Sequence, residues 1–494
     1  MKGARWRHLA QGDLRASARE LLATGGRMQM AYAWTPPDGA PELRYVATPG
    51  DDAAFMVWQC KLTADPPSLA AIWPLLGWYE REITDLYGIR FTEHPEPIRL
   101  LLHEDIPPPF RPMPERGPSV RLHPGTPEAG TLPELLAPDV QALPFGPVRA
   151  DVVESAKFTF LYVGEQILHY VPDLFYKHRG MELRFRGVSA ERGAILAERV
   201  SGVGSIAHCL AYCQALEAAS DCEIPRRARW LRVILAELER VYNHLHYLGH
   251  LCNTTTLKVG EAQGKLLEEQ AKQINARLTG SRFLRSILIP GGLRRDLAPE
   301  GWLTDRLEEV RAQSAAYVER LEASESHLDR LITTGHLSDR VAFEQGATGP
   351  IQRASGADRD LRRDHPYAAY AELPLTVPVL PDGDAYARHR VRVAELDSSI
   401  AVIQRALLLL ERGEVRVPCR PPPGAEGLGW TESPRGSLFY AVHVGADATL
   451  ARVKIKSPSF SNWRVFPFTV HETNMMDYAI NEASFGLTVA GCAR

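Results

Sequence analysis

Proline fills twelve of the 41 positions from Pro107 to Pro147. Each proline fixes φ at about −65° and removes a backbone donor, so neither a regular helix nor a central strand can run through this stretch. The chain is thereby divided. Residues 1–106 precede the proline-rich stretch and residues 148–494 follow it, each long enough to enclose a core. Residues 107–147 read as an extended connector laid over a surface.

Composition narrows the function classes. A net charge of −3 and a pI near 6.6 give no reason to expect nucleic-acid binding. The seven cysteines are scattered and none forms a C-x-x-C pair, which predicts a reducing compartment and no iron–sulfur cluster held by this chain. The opening residues, Met1-Lys-Gly-Ala-Arg-Trp-Arg-His8, lack the apolar stretch of a secretory signal. The most apolar run, Ala406–Leu410, falls far below the roughly 20 residues that cross a bilayer. Membrane contact is therefore expected only through partners.

The local patterns predict an α+β fold: a small α+β N-terminal domain, then a large, mainly helical bundle with a small β layer at its end. Tyr45–Thr48 and Ala54–Leu62 are strand-like, and Ser68–Tyr87 is helix-like with Gly88 as its stop. Phe158, Phe160 and Tyr162 alternate before Gly164-Glu165, and Ile167, His169 and Val171 alternate after it, predicting a hairpin. Leu231, Ile234, Leu235, Leu238, Val241, Tyr242, Leu245 and Leu248 recur at helical spacing, as do Leu396, Ile400, Ile403, Leu407 and Leu410. Glu80, Glu82 and Asp85 beside Arg81 form a charged helix face, read as a docking surface for another subunit, with a merely solvated face as the alternative.

Two sets of motifs carry a family resemblance. Trp78-Tyr-Glu-Arg-Glu82-Ile-Thr-Asp85-Leu-Tyr-Gly88-Ile-Arg-Phe91-Thr-Glu-His94-Pro, with Arg99-Leu-Leu-Leu102 and Glu104-Asp105, resembles the complex I 30-kDa-type subunit. Residues 143–494 resemble the complex I 49-kDa-type subunit and the nickel–iron hydrogenase large subunit. The motifs include Lys177-His178-Arg179-Gly180-Met181-Glu182, Glu237-Leu-Glu-Arg240 with His244, Arg353-Ala-Ser-Gly356, Asp360-Leu-Arg362 and Ser433-Pro-Arg435-Gly436. The fusion of both halves is similar to the large subunits of formate hydrogenlyase and hydrogenase-4-type complexes.

That resemblance implies a site, and this chain departs from it. Hydrogenases in the family carry four thiolates on two motifs; the aligned positions here are Ser201 and Gly204, then Thr488 and Gly491. Neutral hydroxyls and glycine cannot replace soft thiolates on nickel or low-spin iron, so no nickel is expected. Cys492 stands one residue off the ligand register. Cys209 and Cys213, four apart on a helix, read as small core residues, and His244 and His246 cannot share a helix face as a ligand pair. Complex I uses the region as a quinone cavity, with a tyrosine one residue beyond the first ligand position and a histidine on the first hairpin. Gly202 occupies the first place, and Val153–Lys157 offers no histidine for the second.

The remaining candidates are His178, Arg179, Glu182 and Arg435, with His208 and Gly202 in the possible cavity. Histidine can donate to a quinone carbonyl and arginine can stabilise developing negative charge. The alternatives are a structural Arg179–Glu182 ion pair, a core His208 bonded to backbone, and a fold-stabilising Arg435. The implied function is a subunit passing electrons from a partner iron–sulfur small subunit to quinone or another acceptor. Antiporter-like membrane subunits would be further partners, and the place would be peripheral on the cytoplasmic side of the inner membrane. A non-catalytic coupling scaffold is the alternative, and an active nickel–iron hydrogenase is disfavoured. NAD binding belongs to the family's description; Gly202-Val-Gly204 lacks the strand–turn–helix setting of a dinucleotide site. The chain ends about where processed hydrogenase large subunits end, so folding without proteolytic trimming is expected.

Overall fold

The computed structural model describes residues 4–36, 39–50, 54–103, 106, 111–113, 137, 139–149, 154–471 and 473–494. The N-terminal sheet has four strands in the order β1-β4-β3-β2: β1 is Arg5–His8, β2 Arg27–Trp34, β3 Glu42–Thr48 and β4 Met56–Lys61. The helix Leu14–Ala23 buries Leu14, Ala18 and Leu21, an i, i+4, i+7 stripe.

The expected helix from Ser68 begins later. Pro74 opens a 3₁₀ turn, Pro74–Leu76, and the α-helix runs Gly77–Tyr87. Gly88 ends it as predicted: its φ is 74° and its N–H donates to Thr84 at 2.9 Å, a left-handed stop that disfavours a Cβ. The charged face is internal, which overturns both readings made of it. Glu80 accepts from Ser68 Oγ at 2.5 Å and Leu69 N at 2.8 Å, and Asp85 Oδ2 accepts the N–H groups of Leu100, Leu101 and Leu102. Arg81 donates to the carbonyls of Ile98 and Arg99 and pairs with Glu96. The face turns the 96–102 segment against itself, so it is neither solvated nor free for another subunit. Glu104 and Asp105 lie outside the described residues.

The larger part is built on four helices in a ring: Arg226–Thr254, Lys258–Thr279, Leu303–Glu322 and Ala385–Leu408 each pack on the next, and the last returns to the first. Three residues join the first two, which forces an antiparallel pair. The predicted hairpin is β6 (Lys157–Val163) with β7 (Gln166–Asp173), and an irregularity after Leu161 breaks the expected alternation, so that Tyr170 is buried and His169 is not. Before it, β5 (Gln141–Phe145) lies at the edge of this sheet. The proline-rich stretch thus ends in a strand, with Pro144 tolerated there because an edge position has a free side. Residues 114–136 lie outside the described residues.

A two-stranded ribbon, β8 (Leu288–Ile289) and β9 (Gly292–Leu293), precedes the main sheet, β10 (Glu426–Ser433), β11 (Gly436–Val444) and β12 (Leu450–Lys456). This sheet is central rather than terminal. The helix Ser205–Ala219 covers one face, and the N-terminal sheet and its helix meet the other. Phe55 packs edge-on against Phe439 at 5.0 Å, Tyr32 Oη meets His443 Nε2 at 3.1 Å, and Lys454 Nζ pairs with Glu82 at 2.6 Å. β11 is consequently buried along its whole length. Among the described residues no helix is long and apolar enough to cross a membrane.

Candidate functional site

The two motif segments meet at helix starts. The helix Ser205–Ala219 begins just after Ser201–Gly204, and a short helix, Val489–Ala493, begins just after Thr488. Each start leaves N–H groups without intrahelical partners, and each receives a carboxylate. Glu239 accepts from Ile206 N at 2.6 Å and Ala207 N at 3.0 Å; Glu154 accepts from Val489 N at 2.5 Å and Ala490 N at 3.1 Å. Thr488 Oγ1 caps its own helix, accepting from Gly491 N at 3.1 Å.

Two arginines then tie the segments together. Arg179 donates to the carbonyls of Arg199 (2.9 Å) and Val200 (2.5 Å) on one side and Ala490 (3.1 Å) on the other. Arg435 donates to Gly486 O at 2.7 Å and to Asn243 Oδ1 at 2.7 Å, while Asn243 donates to Val203 O at 2.9 Å. His178 Nδ1 lies 2.5 Å from Ala493 O, a contact that requires the proton on Nδ1. His178, Arg179 and Arg435 thus all reach the C-terminal segment.

Glu182 does not pair with Arg179. It faces the sheet, accepting from Ile455 N at 3.1 Å and pairing with Arg452 at 2.7 Å and Lys454 at 3.2 Å, with Arg494 at 3.4 Å. Burial raises its carboxyl pKa, and the three cations outweigh burial, holding it well below the usual range. The alternative of an Arg179–Glu182 ion pair is ruled out, because Arg179 is occupied by main-chain carbonyls. His208 is a buried histidine, but its partner is a side chain: Nδ1 meets Tyr440 Oη at 2.9 Å. Burial, then the charges of Arg179 and Arg435, push its pKa down to about 3. Burial also pushes Glu239 up to about 7, against the pull of its two backbone donors.

A side chain at Gly204 or Gly491 would meet close neighbours. A Cβ on Gly204 would stand 3.3 Å from His208 Cδ2, and one on Gly491 would stand 2.5 Å from Thr488 Oγ1. Ser201 is buried, whereas Gly202 is exposed and its carbonyl accepts from Arg285 at 3.3 Å. Hydroxyl, glycine and one buried Cys492 thiol, pushed well above its ordinary pKa by burial, do not fit a nickel–iron centre. Among the described residues no three His, Cys, Asp or Glu side chains are grouped to hold a metal ion. Cys209 and Cys213 are fully buried 4.0 Å apart, and His244 and His246 pair with Glu395 and Glu268 respectively.

Sequence reasoning missed Glu154, Glu239, Asn243 and Tyr440. Glu239 stood inside a motif already singled out, and the glutamate–helix-start pairing was the available signal. It also missed what joins the dispersed motifs. Arg240, His244 and Arg353 meet Glu395, and Arg353 also meets Glu432, two carboxylates outside the motifs; Arg240, Arg353 and Arg362 extend the same buried network to Glu237 and Asp360. Arg353 meets Glu395 at 2.5 Å and Glu432 at 3.1 Å. Burial alone would raise Glu395, but Arg353, His244 and Arg240 hold it well below the ordinary range.

Comparison with known proteins finds three related families along the chain. The family described as respiratory-chain NADH dehydrogenase, 30 Kd subunit, matches residues 19–116, and its 49 Kd counterpart matches 267–422 and 417–494. The nickel-dependent hydrogenase family matches 179–279, the region holding Ser201, Gly204 and His208. Hydrogenase-4 component G of Escherichia coli (strain K12) is 32% identical over 443 residues, covering 87% of this chain and 76% of that protein. Formate hydrogenlyase subunit 5 of the same strain is 30% identical, covering 83% and 74%. The fused C/D subunit of NADH-quinone oxidoreductase from Shewanella woodyi (strain ATCC 51908 / MS32) is 28% identical, covering 87% and 80%. A chain in the structure of the membrane-bound sulfane sulfur reductase, an archaeal respiratory membrane complex, aligns with a TM-score of 0.68 and 26% identity, over 73% of this chain and all of that one. The chain belongs to the family of fused 30-kDa/49-kDa-type subunits shared by complex I and the hydrogenase-4 and formate hydrogenlyase complexes.

Proposed function

We propose that this chain is the large peripheral subunit of a membrane-associated, complex-I-like oxidoreductase. On this reading it receives electrons from a partner's iron–sulfur cluster and passes them to quinone or another acceptor between residues 199–208 and 486–494. Relatives named as subunits of formate hydrogenlyase and NADH-quinone oxidoreductase support the setting. The observation that carries the acceptor role is Arg179: it spans both segments, and its Nε is buried with no hydrogen-bond partner among the described residues. An orphaned cationic donor is costly unless something accepts from it. An acceptor oxygen gaining negative charge on reduction meets that need. Nickel chemistry is not part of the proposal, because the donor set does not fit. The tyrosine–histidine pair of complex I is not part of it either, because Gly202 carries no side chain and Glu154 is spent on a helix start. The domain division at 106 and 148, the iron–sulfur and antiporter-like partners and the cytoplasmic face belong to the same proposal.

One observation favours a second reading, a coupling scaffold. His178, Arg179 and Arg435 are each bonded to main-chain carbonyls and act as clamps. Arg179→Lys and Arg435→Ala in the intact complex separate the two. Loss of a charge-assisted donor in the transition state costs about 2–4 kcal/mol, roughly 30- to 1,000-fold in turnover. Assembled complexes with turnover reduced on that scale support the acceptor site; assembled complexes with unchanged turnover leave the scaffold.

A further inference from the structure

A cavity of about 470 Å³ opens where the N-terminal sheet meets residues 348–365 and the start of β11. Four carboxylates stand on its wall, and all are committed elsewhere. Asp360 pairs with Arg362 at 2.7 Å, Glu432 with Arg353 at 3.1 Å, and Asp358 and Asp364 with Arg363 at 2.6 and 2.8 Å. The cations of the same region are not so matched. Arg27, nearly fully buried, donates to Ala347 O at 2.7 Å. Arg359 is half-buried in the same lining, both guanidinium groups lie over the Phe343 ring (5.7 and 5.9 Å), and Lys456 donates to the lining residues Gln29 (Oε1, 2.9 Å) and Ser437 (Oγ, 3.1 Å). Among the described residues none of the three has a carboxylate oxygen within 4.0 Å.

Unpaired buried cations are expensive, and two guanidinium groups flanking one space repel each other unless an anion lies between them. Burial and then Arg359 push Arg27 down to about 9, and burial and then Arg27 hold Lys456 well below its usual range, each against a weaker pull from Glu432. We propose that this cavity binds a small oxyanion, a carboxylate or a phosphate, gripped by Arg27 and Arg359 with Lys456 bonded to the lining. Planar guanidinium forks match such oxygens in pairs. The site is separate from the electron-acceptor segments, and the proposal does not rest on that reading.

Hydrogen exchange of the full chain in its native complex tests it, with inorganic phosphate and succinate as probes and sodium chloride at matched ionic strength as control. At ten times Kd, either probe should slow exchange through local opening up to about elevenfold in peptides spanning 25–34 and 347–365. That protection should saturate and be lost in Arg359→Gln, a variant that breaks no side-chain hydrogen bond among the described residues. Equal protection by chloride, no protection, or protection retained in Arg359→Gln would each overturn the proposal. Asp51 and Asp52 follow the wall residue Gly50 in sequence. If phosphate protected only the Asp51→Asn/Asp52→Asn variant, the chain's own carboxylates would be the occupant and the external ligand would be refuted.

Discussion

A Cβ on Gly491 would lie 2.5 Å from Thr488 Oγ1. The cap and the glycine are therefore one arrangement: the hydroxyl occupies the space that a side chain at 491 would need. Gly491→Cys should cost about 1–3 kcal/mol through overpacking. Adding Thr488→Ala removes the clash but also the cap, which is itself worth about 1 kcal/mol, so stability should return only in part. Thermal unfolding of both variants checks this, and a fully stable single variant would contradict the crowding. His208 sets a pH dependence. Its folded pKa of about 3 lies below the ordinary value of about 6.5, so the unfolded chain binds the proton and stability present above pH 6.5 falls on acidification. At pH 5 the loss is about 2 kcal/mol, and His244, pushed down to about 4 by burial, adds in the same direction. Melting temperature against pH should fall less steeply in His208→Gln than in the parent; parallel curves would exclude His208 as a source.

Helices in this fold are placed by what they cannot accommodate as much as by what they bury. The antiparallel helices Arg226–Thr254 and Lys258–Thr279 cross where Gly249 faces Gly264, and a Cβ on Gly264 would stand 2.5 Å from Gly249 Cα. The neighbour is backbone and cannot swing aside. Gly264→Ala, which on helix propensity alone would gain about 1 kcal/mol, should instead destabilise by about 1–3 kcal/mol. Denaturant unfolding gives the sign directly, and a gain would show that the helices separate freely. The helix Gly77–Tyr87 illustrates a different limit. Its charged residues looked like a surface in sequence, yet Asp85 collects three consecutive N–H groups from 100–102. Periodicity reports that a face is polar; it does not report whether water or another turn of the same chain will satisfy it.

At the scale of the whole molecule, Glu82 fastens the N-terminal helix to the larger part. It pairs with Lys454 at 2.6 Å and with Arg494, and Glu182 shares both cations. Glu82→Ala leaves two buried cations dependent on one carboxylate and should cost about 3–5 kcal/mol. The double variant Glu82→Met/Lys454→Met should lose less than the sum of the two single changes, because it removes a charge with its partner. Limited proteolysis near residues 107–147 and thermal unfolding report the loosening, and strictly additive losses would argue against the pairing.

The sequence by itself determined what local chemistry determines. Helical spacing marked the helices around Leu231–Leu248 and Leu396–Leu410, and Gly88 marked a helix end. It also excluded a four-thiolate centre, since ligand identity is a property of residue type. Tertiary structure alone decided where the charges went. Arg179 answers to carbonyls 20 and 311 residues away rather than to Glu182 three residues on, and Glu395 gathers Arg240 and His244 from one helix and Arg353 from another. The physical reason is that a buried ion or orphaned N–H takes whichever partner the packed backbone brings within reach, and that distance is not written in the spacing of residues along the chain.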